Sequence, residues 1–426
     1  MAHSFKSLII SLQKPTSWLL LAMGFSAGLP FLLVGGTLGL WMRQSGLSLS
    51  LIGYFSWVTL AYGFKFIWAP LLKRLNLSWL YHYLGQLRSL MILSQLGISL
   101  GLGALSLIGP QHLLGFTLAA SLTAFFAACQ EITIDTWRTL ETHNEEQSAL
   151  NPSLYSLGYR LSLLITNALI LFLSKRWGWP LSYGLMAVLM SIGLIAALMA
   201  PKSKSEIVTQ KIEFIAPFKT LLSEHKGVGV TLIALLMVYR LPDFMIGPVA
   251  LPLYQDVGLD PDAIALMRAT FGLWASFIGV GIGGFCILWL GIDRAFLLGA
   301  ITVPLAKLLF AAMAYDGHHN LALFGVTLVF DDISNGIAET ALIAFITRLC
   351  SAQNALTAYA LMISLPSLTG KLLKGFSGQI IDSFTPHLGL MGAYQAFFIG
   401  TALIGMPVIW LILRFMGKYR SSPASS

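Results

Sequence analysis

The chain has 426 residues, of which 56% are hydrophobic and only 10% are charged, and its mean hydropathy is +0.78. A soluble domain carries about 25% charged residues because its surface faces water, so this composition excludes a soluble enzyme and indicates a protein of the lipid bilayer. The net charge of +8 does not indicate nucleic-acid binding, because the basic residues are scattered between apolar runs and form no amphipathic stripe.

Apolar segments long enough to cross a bilayer recur along the whole chain. A span needs about 20 apolar residues to cross a hydrocarbon core of about 30 Å. The first segment is interpreted as a span and not as a signal peptide, because further apolar segments follow it. The sequence predicts an all-α integral membrane protein with twelve transmembrane helices, at approximately 17–41, 50–72, 86–108, 112–137, 152–174, 180–200, 228–254, 260–290, 294–315, 319–349, 354–380 and 388–415.

One connection is much longer than the others and divides the predicted spans into two sets of six. It covers 201–227, contains five lysines and is interpreted as a cytoplasmic linker between an N-terminal half (1–200) and a C-terminal half (228–420). Pro30 and Pro242 are 212 residues apart, as are the Gly-Leu pairs that begin at Gly46 and Gly258. Matches at one offset, close to half the chain, indicate an internal repeat.

The basic residues outside the spans predict the orientation in the membrane. Most of them fall on the side of the two termini, and only Arg43, Lys175 and Arg176 fall on the other side. Cytoplasmic loops carry the excess of Lys and Arg, so both termini are predicted to be cytoplasmic.

Thirteen charged residues fall within the predicted spans, where a charge at the bilayer centre costs at least ~2.5–3.5 kcal/mol. We expect them to face a hydrated cavity or one another, and this cavity is the predicted functional site. The basic members are Lys65, Arg160, Arg240, Arg268, Lys307, Lys371 and Lys374. The acidic members are Glu131, Asp135, Asp243, Asp331, Asp332 and Glu339.

The acidic residues are candidates for carrying a proton. Glu131 and Asp135 lie one turn apart on one face of the fourth span, and Arg138 follows where it can pair with Asp135 at the cytoplasmic end. Glu131 has no basic neighbour on its own helix, so we predict a proton-coupling role for it. Asp332 and Glu339, on one stripe of the tenth span, receive the same prediction.

The basic residues are candidates for binding an anion, and each has a structural alternative. Arg240 and Asp243 flank Pro242, so they either form a local salt bridge or the proline loosens the helix and frees Arg240 toward a substrate. Lys371 and Lys374 share a face that suits an anionic ligand or a carboxylate of the tenth span.

Three further basic positions have alternatives of the same kind. Lys65 either contacts substrate or extends its ammonium to the interface along its apolar stem. Arg160, which follows Tyr159, binds substrate or forms part of a gate, and Lys307 is expected to pair structurally because the ninth span should be peripheral.

Several other patterns predict no chemistry. The glycine motifs Gly24–Gly28 and Gly279–Gly284 formally match a nucleophile elbow and a dinucleotide fingerprint, but both lie inside apolar helices, where small residues permit close packing. The three cysteines and eight histidines show no disulfide framework or metal-ligand spacing, so we expect no metal and no cofactor. A membrane-embedded enzyme or sensor would need a nucleophile–base pair or a metal cluster, together with a sizeable soluble domain, and the sequence indicates neither.

A family resemblance is carried by several short motifs. The first half contains Gly24-Phe-Ser-Ala-Gly-Leu-Pro30, Tyr62-Gly-Phe-Lys65, Gln130-Glu-Ile-Thr-Ile-Asp135-Thr-Trp-Arg138 and Leu157-Gly-Tyr159-Arg160, and the second half contains Tyr239-Arg-Leu-Pro-Asp243 and Gly370-Lys371. These motifs resemble the AmpG muropeptide permeases of the major facilitator superfamily, whose two parallel six-helix repeats hold substrate near the bilayer midplane.

The resemblance implies proton-driven import of N-acetylglucosaminyl-1,6-anhydro-N-acetylmuramyl peptides across the bacterial inner membrane, by a protein that acts as a monomer. It places Gln130, Glu131 and Asp135 in the polar, acidic patch of the family's fourth span, and Lys65, Arg160, Arg240 and Lys371 at the family's basic positions within the membrane. With the residues singled out by their own spacing, the predicted substrate-binding residues are Lys65, Gln130, Tyr159, Arg160, Arg240, Lys371 and Lys374, and the predicted proton-coupling residues are Glu131, Asp135, Asp332 and Glu339. The residues predicted to form gates or structural pairs are Arg138, Asp243, Lys73 and Arg74.

The sequence departs from the family in two places. Lys73-Arg74 stands where the superfamily usually places an acidic residue before Arg, and Asp332 and Glu339 are not expected at their positions. These departures keep open the alternative of another large anionic solute, such as a siderophore or an acyl conjugate, by import or efflux.

Overall fold

A computed structural model describes residues 15–65, 68, 72, 75, 78–141, 145–202, 222–223, 227–349 and 355–420. Every regular element among these residues is helical, so the predicted all-α fold is confirmed. The predicted gate residues Lys73 and Arg74 lie outside the described residues, as does most of the predicted linker at 201–227.

Nine helical segments of the described chain are long and apolar enough to cross a membrane. Two of them, Asn151–Met199 and Met362–Gly417, have 49 and 56 residues, about twice what one crossing requires. Each is interrupted by a glycine with φ in the left-handed region, Gly178 (77°) and Gly389 (70°), and therefore comprises two spans. The second predicted span begins with the shorter helix Leu49–Tyr62, beyond which most residues up to 77 are not described. The exact count of twelve stays a prediction.

The chain forms two compact units. The first unit comprises Met1–Trp41 and Val58–Lys211, and the second comprises Met42–Trp57 and Ile212–Ser426. Residues 42–57, which the sequence places in the first half, thus pack with the second unit.

The helices are numbered in chain order. The early part of the chain contains α1 (Pro15–Leu33), α2 (Gly36–Gln44), α3 (Leu49–Phe55), α4 (Ser78–Leu84), α5 (Gln86–Ile108), α6 (Leu113–Leu140), α7 (Glu145–Leu164), α8 (Ile170–Leu189) and α9 (Ser191–Met199). The later part contains α10 (Gly229–Tyr239), α11 (Leu241–Ile246), α12 (Ala250–Asp256), α13 (Pro261–Met267), α14 (Leu273–Leu290), α15 (Ile292–Asp316), α16 (Leu321–Leu349), α17 (Ala355–Leu373) and α18 (Ser377–Arg420).

Glycines with positive φ support the predicted internal repeat. They form four pairs at corresponding connections, namely Gly46 and Gly258, Gly85 and Gly291, Gly109 and Gly317, and Gly178 and Gly389. In the first pair both φ values are 82°, and the N-caps that follow, Ser48 and Asp260, are again 212 residues apart. Only glycine adopts this backbone conformation without steric cost, so the two halves repeat the same turn.

Each glycine motif contains a glycine that packs against a neighbouring helix, as the sequence predicts, although Gly281 and Gly284 of the second motif meet no neighbour. Gly24 on α1 lies against the backbone oxygen of Tyr155 on α7, where a Cβ would overlap it. A Cβ on Gly279 of α14 would lie 2.6 Å from the backbone oxygen of Ile333 on α16. Close backbone approach of this kind holds helices together in a bilayer, where the hydrophobic effect between them is absent.

Candidate functional site

An ion pair lies among the aromatic rings of the first unit. The ammonium of Lys65 contacts the carboxylate of Glu131 on α6, and their side chains are 37% and 10% exposed. The Lys65 ammonium thus pairs with a carboxylate on another span, which favours a place at the predicted site over extension to the interface. Glu131 has a basic partner after all, supplied by a segment distant in sequence.

Beside Glu131, Gln130 joins α6 to α1. Its Nε2 donates to Ser26 Oγ at 2.8 Å, and the Ser26 hydroxyl donates to Met23 O at 3.0 Å. Gln130 is fully buried, and its Oε1 has no hydrogen-bond partner among the described residues. The amide nitrogen of Gln130 thus joins two helices, whereas its amide oxygen remains available as a hydrogen-bond acceptor for a substrate.

Four aromatic residues form a connected set in this unit. The Phe31 ring lies 5.8 Å from Tyr62 and 6.3 Å from Tyr159, and Tyr159 lies 6.4 Å from Tyr155. Tyr62 is 7% exposed, and its hydroxyl is buried without a hydrogen-bond partner in the described part of the chain. Tyr62 was not predicted as a site residue, although it begins the motif that contains Lys65.

The predicted pair of Asp135 and Arg138 is present at the end of α6. Arg138 Nη2 lies 3.1 Å from Asp135 Oδ1, and the guanidinium also lies 4.8 Å from the centre of the Tyr155 ring. The Asp135 side chain is 46% exposed, so water reaches it more readily than it reaches Glu131. Arg160 is exposed on α7.

In the second unit the seventh predicted span is broken at a charged residue. α10 ends at Tyr239 and α11 begins at Leu241, while Arg240 between them has φ −99° and ψ 6°. Pro242 lacks the N–H that would continue the helix. The break turns Arg240 and Asp243 toward each other, so the predicted local salt bridge is present, with Arg240 Nε 2.9 Å from Asp243 Oδ2.

This salt bridge belongs to a larger network across three helical segments. Lys307 Nζ on α15 lies 2.8 Å from Asp243 Oδ1 and 2.6 Å from Asp331 Oδ1 on α16. Asn335 Nδ2 donates to Asp331 Oδ2 at 3.2 Å, and its amide oxygen accepts from Arg240 Nη2 at 3.3 Å. The side chains form a closed ring, which we call the charged ring, and Lys307 pairs within it as the sequence predicts.

The charged ring uses two residues of α16 for which the sequence predicts no coupling or substrate-binding role. They are Asp331, one of the thirteen charged residues of the predicted cavity, and Asn335, whereas the coupling residues predicted on this helix are Asp332 and Glu339. The spacing of four residues between Asp331 and Asn335 places them on one helix face, and it was the available signal. Asp332 lies against Gly272, where a Cβ would be 3.0 Å from its Oδ2, and Glu339 is exposed.

The two predicted lysines of the eleventh span occupy its end. Lys371 lies in the last turn of α17, Lys374 begins the short 3₁₀ turn Lys374–Phe376, and both are partly exposed. Gly370 and Gly375, beside them, lie against the Phe244 and Trp57 rings.

Arg43 lies in the last turn of α2, within a helix and not in the outside loop that the sequence predicts. Its guanidinium binds Asp256 at the end of α12, and Tyr394 also donates to that carboxylate at 2.9 Å. Nearby in sequence, the backbone N–H and hydroxyl of Ser50 donate to Asp382 at 2.7 and 2.6 Å. Residues 42–57 are thus anchored to the second unit by two carboxylates.

Comparison with known proteins identifies the family. The model of the Major Facilitator Superfamily matches residues 20–363. The chain is 30% identical to the anhydromuropeptide permease of Escherichia coli (strain K12), over 94% of this chain and 80% of the permease. It is also 25% identical to the putative transporter AmpG 4 of Rickettsia conorii, over 92% of this chain and 94% of the relative. This chain belongs to the AmpG-type permeases of the Major Facilitator Superfamily.

Solved structures agree with the fold of this permease. The nucleoside transporter NupG superposes with a TM-score of 0.71 at 13% identity, over 95% of this chain and 99% of that one. The D-xylose-proton symporter superposes with a TM-score of 0.66 at 13% identity, over 92% and 96%. The AmpG-type permease is a multi-pass membrane transporter and not an enzyme. No group of three or more His, Cys, Asp or Glu that could hold a metal occurs in the residues that the structure covers.

Proposed function

We propose that this permease imports anhydro-muropeptides together with protons, from the periplasm to the cytosol, for cell-wall recycling. The observation that carries the substrate is the 30% identity to the anhydromuropeptide permease across 94% of this chain. The substrates are N-acetylglucosaminyl-1,6-anhydro-N-acetylmuramyl peptides, which are large, polar and anionic.

Two sets of residues support this substrate, namely those around the Lys65–Glu131 pair and those of the charged ring. The peptide part of a muropeptide carries carboxylates, and Arg240 and Lys65 provide partly exposed cations within predicted spans. Tyr159 and the other rings of the first unit provide flat apolar surfaces of the kind that pack against sugar rings, and Gln130 and Tyr62 provide buried polar atoms that lack partners among the described residues. A substrate group that meets these atoms would recover hydrogen bonds that the protein alone leaves unmade.

Proton coupling is proposed for carboxylates that lie beside cations. Glu131 is held by Lys65, and Asp135 by Arg138. Protonation of Glu131 would release a cation of another span, and protonation of Asp135 would release a cation of its own helix. Asp332 and Glu339 remain proposed coupling residues of the second unit, and Arg160, Lys371 and Lys374 remain proposed substrate contacts.

We further propose that the protein is a monomer in the bacterial inner membrane with both termini in the cytosol. The concentration of Lys and Arg on the side of the termini supports this orientation. The predicted linker at 201–227, with its five lysines, would lie on the same side.

The test is uptake of labelled anhydro-muropeptide into right-side-out vesicles from cells that lack their own permease. We expect accumulation when the outside is acidified, and loss of accumulation when a protonophore collapses the gradient. The double variant Glu131→Gln and Asp135→Asn should bind substrate but no longer accumulate it. Asp316→Asn, at the end of α15, is the control for removal of a carboxylate outside both sets of residues.

The outcomes separate the parts of the proposal. No uptake above that of vesicles without the permease would overturn the muropeptide assignment, and uptake of a labelled siderophore or acyl conjugate in its place would establish the alternative. Undiminished gradient-driven accumulation by the double variant would overturn the coupling roles of Glu131 and Asp135 while leaving the substrate in place.

A further inference from the structure

The charged ring has no net charge when all its groups are ionised. It contains two cations, Arg240 and Lys307, and two anions, Asp243 and Asp331, and the amide of Asn335 closes it. In a low-dielectric interior an unbalanced charge is far costlier than in water. The charges of the ring are therefore balanced as it stands, and an added charge would be costly unless it were compensated.

The members of the ring differ in their access to solvent. The Lys307 side chain is 1% exposed and that of Asp243 is 9% exposed, whereas those of Arg240 and Asp331 are 17% and 19% exposed. The deep side of the ring is thus a cation held by two carboxylates. The accessible side presents one cation and one carboxylate.

Arg240 is the ring member best suited to meet an anion. Its Nη1 and Nη2 contact the oxygens of Asn335 at 3.4 and 3.3 Å, which are long compared with the ~2.7–2.9 Å of a charge-assisted hydrogen bond to a carboxylate. A substrate carboxylate could replace these two contacts while Arg240 Nε stays on Asp243. The backbone of Arg240 lies at the break between α10 and α11 and is not part of either helix.

Asp331 is the ring carboxylate best suited to take up a proton. Asp243 contacts two cations, Arg240 and Lys307, whereas Asp331 contacts one cation and the neutral amide of Asn335. Protonation of Asp331 would leave Lys307 with a full ion pair to Asp243, so no buried cation would lose its last partner. Protonation of Asp243 would remove a partner from both cations at once.

Other charged groups act on these two residues. Glu339 on α16 interacts electrostatically with Arg240, and its negative charge adds to the need for a compensating proton when an anion arrives. Asp332, on the same helix, lies near Arg268 and near Asp331 and has Ser276 on α14 as a hydrogen-bond partner. Two further carboxylates, Glu339 and Asp332, and one further guanidinium, Arg268, thus lie near the ring.

We propose that Asp331 binds the proton that enters with the substrate, and that the trigger is an anionic group of the substrate binding to Arg240. This inference rests on the proposed import of an anionic muropeptide. The substrate carboxylate stays ionised and gives the ring a charge of minus one. One hydronium proton from the periplasmic solution then bonds to a carboxylate oxygen of Asp331 and restores neutrality, and a neutral water molecule is left. Lys307 is a positioning residue, which keeps Asp243 paired in both protonation states.

Linkage makes the proposal measurable. If substrate and proton bind together, each increases the affinity for the other by the same factor. As the pH rises through the range in which Asp331 releases its proton, the apparent affinity for muropeptide should fall by up to about tenfold per pH unit. Asp331 should account for about one of the protons taken up per substrate bound.

The experiment is isothermal titration calorimetry of the purified full chain with an anhydro-muropeptide, in two buffers of different ionisation enthalpy. The difference in heat between the buffers gives the number of protons taken up. The test variant is the charge-balanced double Lys307→Met and Asp331→Asn, which retains the Arg240–Asp243 pair. We expect it to bind muropeptide within about threefold of the wild-type affinity, to take up about one proton fewer per substrate than the wild type, and to catalyse counterflow but not gradient-driven accumulation.

A matched control removes a different ion pair between the same two helices. Arg348 on α16 pairs with Asp293 on α15, and both side chains are partly exposed. The double Asp293→Asn and Arg348→Gln should keep both proton uptake and accumulation. Asp331→Asn alone is the second test variant if the double fails to give a monodisperse protein, and Asp331→Glu should restore proton uptake.

Each outcome is decisive. Undiminished proton uptake in the variants that carry Asp331→Asn, or no proton uptake by the wild type despite binding, would overturn the inference and leave the proposed substrate intact. Loss of proton uptake in Glu131→Gln but not in Asp331→Asn would overturn it as well. If the wild type binds no muropeptide, the proposed function fails and this inference fails with it.

Discussion

Arg43 and Asp256 form a two-point ion pair, in which Arg43 Nε lies 2.9 Å from Asp256 Oδ1 and Arg43 Nη2 lies 2.8 Å from Asp256 Oδ2. The two residues end corresponding helices of the internal repeat, since Gly46 and Gly258 close the turns that follow them. The pair thus joins two equivalent helix ends within the second unit. Tyr394 adds a third donor to the same carboxylate.

We expect Asp256→Asn to destabilise the protein by about 1.5–3 kcal/mol, because it leaves a partly buried guanidinium without its charged acceptor. The double variant Arg43→Gln and Asp256→Asn should recover part of this loss, since it removes both charges. The measurement is the thermal unfolding midpoint in detergent. Asp316→Asn is the control, and equal midpoints for the single variant and this control would contradict the expectation.

Gly279 and Gly281 lie on the same helix, α14, but only one of them contacts a neighbouring helix. A Cβ on Gly279 would lie 2.6 Å from Ile333 O, whereas a Cβ on Gly281 would meet nothing within 4 Å. We expect Gly279→Ala to separate α14 from α16 and to lower both the yield of folded protein and its unfolding midpoint. Gly281→Ala should be neutral or stabilising by up to about 1 kcal/mol, because alanine favours helix over glycine.

The pair of variants is its own control, because the residues are two positions apart and the substitution is the same. A loss of stability in Gly281→Ala equal to that in Gly279→Ala would mean that helix propensity or the lipid environment, and not packing against Ile333, determines the effect. Fluorescence-detected size exclusion reports the folded yield of both variants.

Local spacing predicted some of the site, and long-range packing determined the rest. Asp135 with Arg138, and Arg240 with Asp243, were found from the sequence because residues three apart on a helix are neighbours. The fold class was also accessible, because hydropathy and repeat length are properties of continuous segments.

The pairing of Lys65 with Glu131 could not be predicted, because it depends on how two spans rotate against each other. The same holds for the two carboxylates that Lys307 contacts and for the choice of Asp331 over Asp332 on α16. Adjacent residues of a helix point about 100° apart, so a small error in the assumed face exchanges one for the other.

Lys307 is expected to behave differently when removed alone and when removed with a partner. Lys307→Met leaves Asp243 and Asp331 close together in a buried site, and breaking a buried pair in this way costs about 3–5 kcal/mol. Lys307→Met combined with Asp331→Asn should regain much of that loss. Urea or thermal unfolding of the two variants, compared with Asp331→Asn alone, gives the coupling energy, and strictly additive effects would contradict the charged ring.

Tyr62 and Tyr183 are both buried, but their hydroxyl groups differ in a way that predicts opposite responses to removal. Tyr183 donates to Leu33 O at 3.0 Å, whereas the Tyr62 hydroxyl has no partner among the residues described. Tyr62→Phe should raise the stability of the unliganded protein slightly, by about 1 kcal/mol, because an unpaired buried hydroxyl is removed. Tyr183→Phe should lower it by about the same amount.

The effects on substrate binding should be reversed. If the Tyr62 hydroxyl bonds to substrate, Tyr62→Phe should weaken muropeptide binding by about 1 kcal/mol, or roughly fivefold, while Tyr183→Phe leaves the affinity unchanged. Calorimetric affinities check the predicted effects on binding, and unfolding midpoints check the predicted effects on stability. A Tyr62→Phe variant that is more stable and binds equally well would show that the hydroxyl contacts no substrate, which would remove Tyr62 from the proposed site while leaving Lys65 and Glu131 in place.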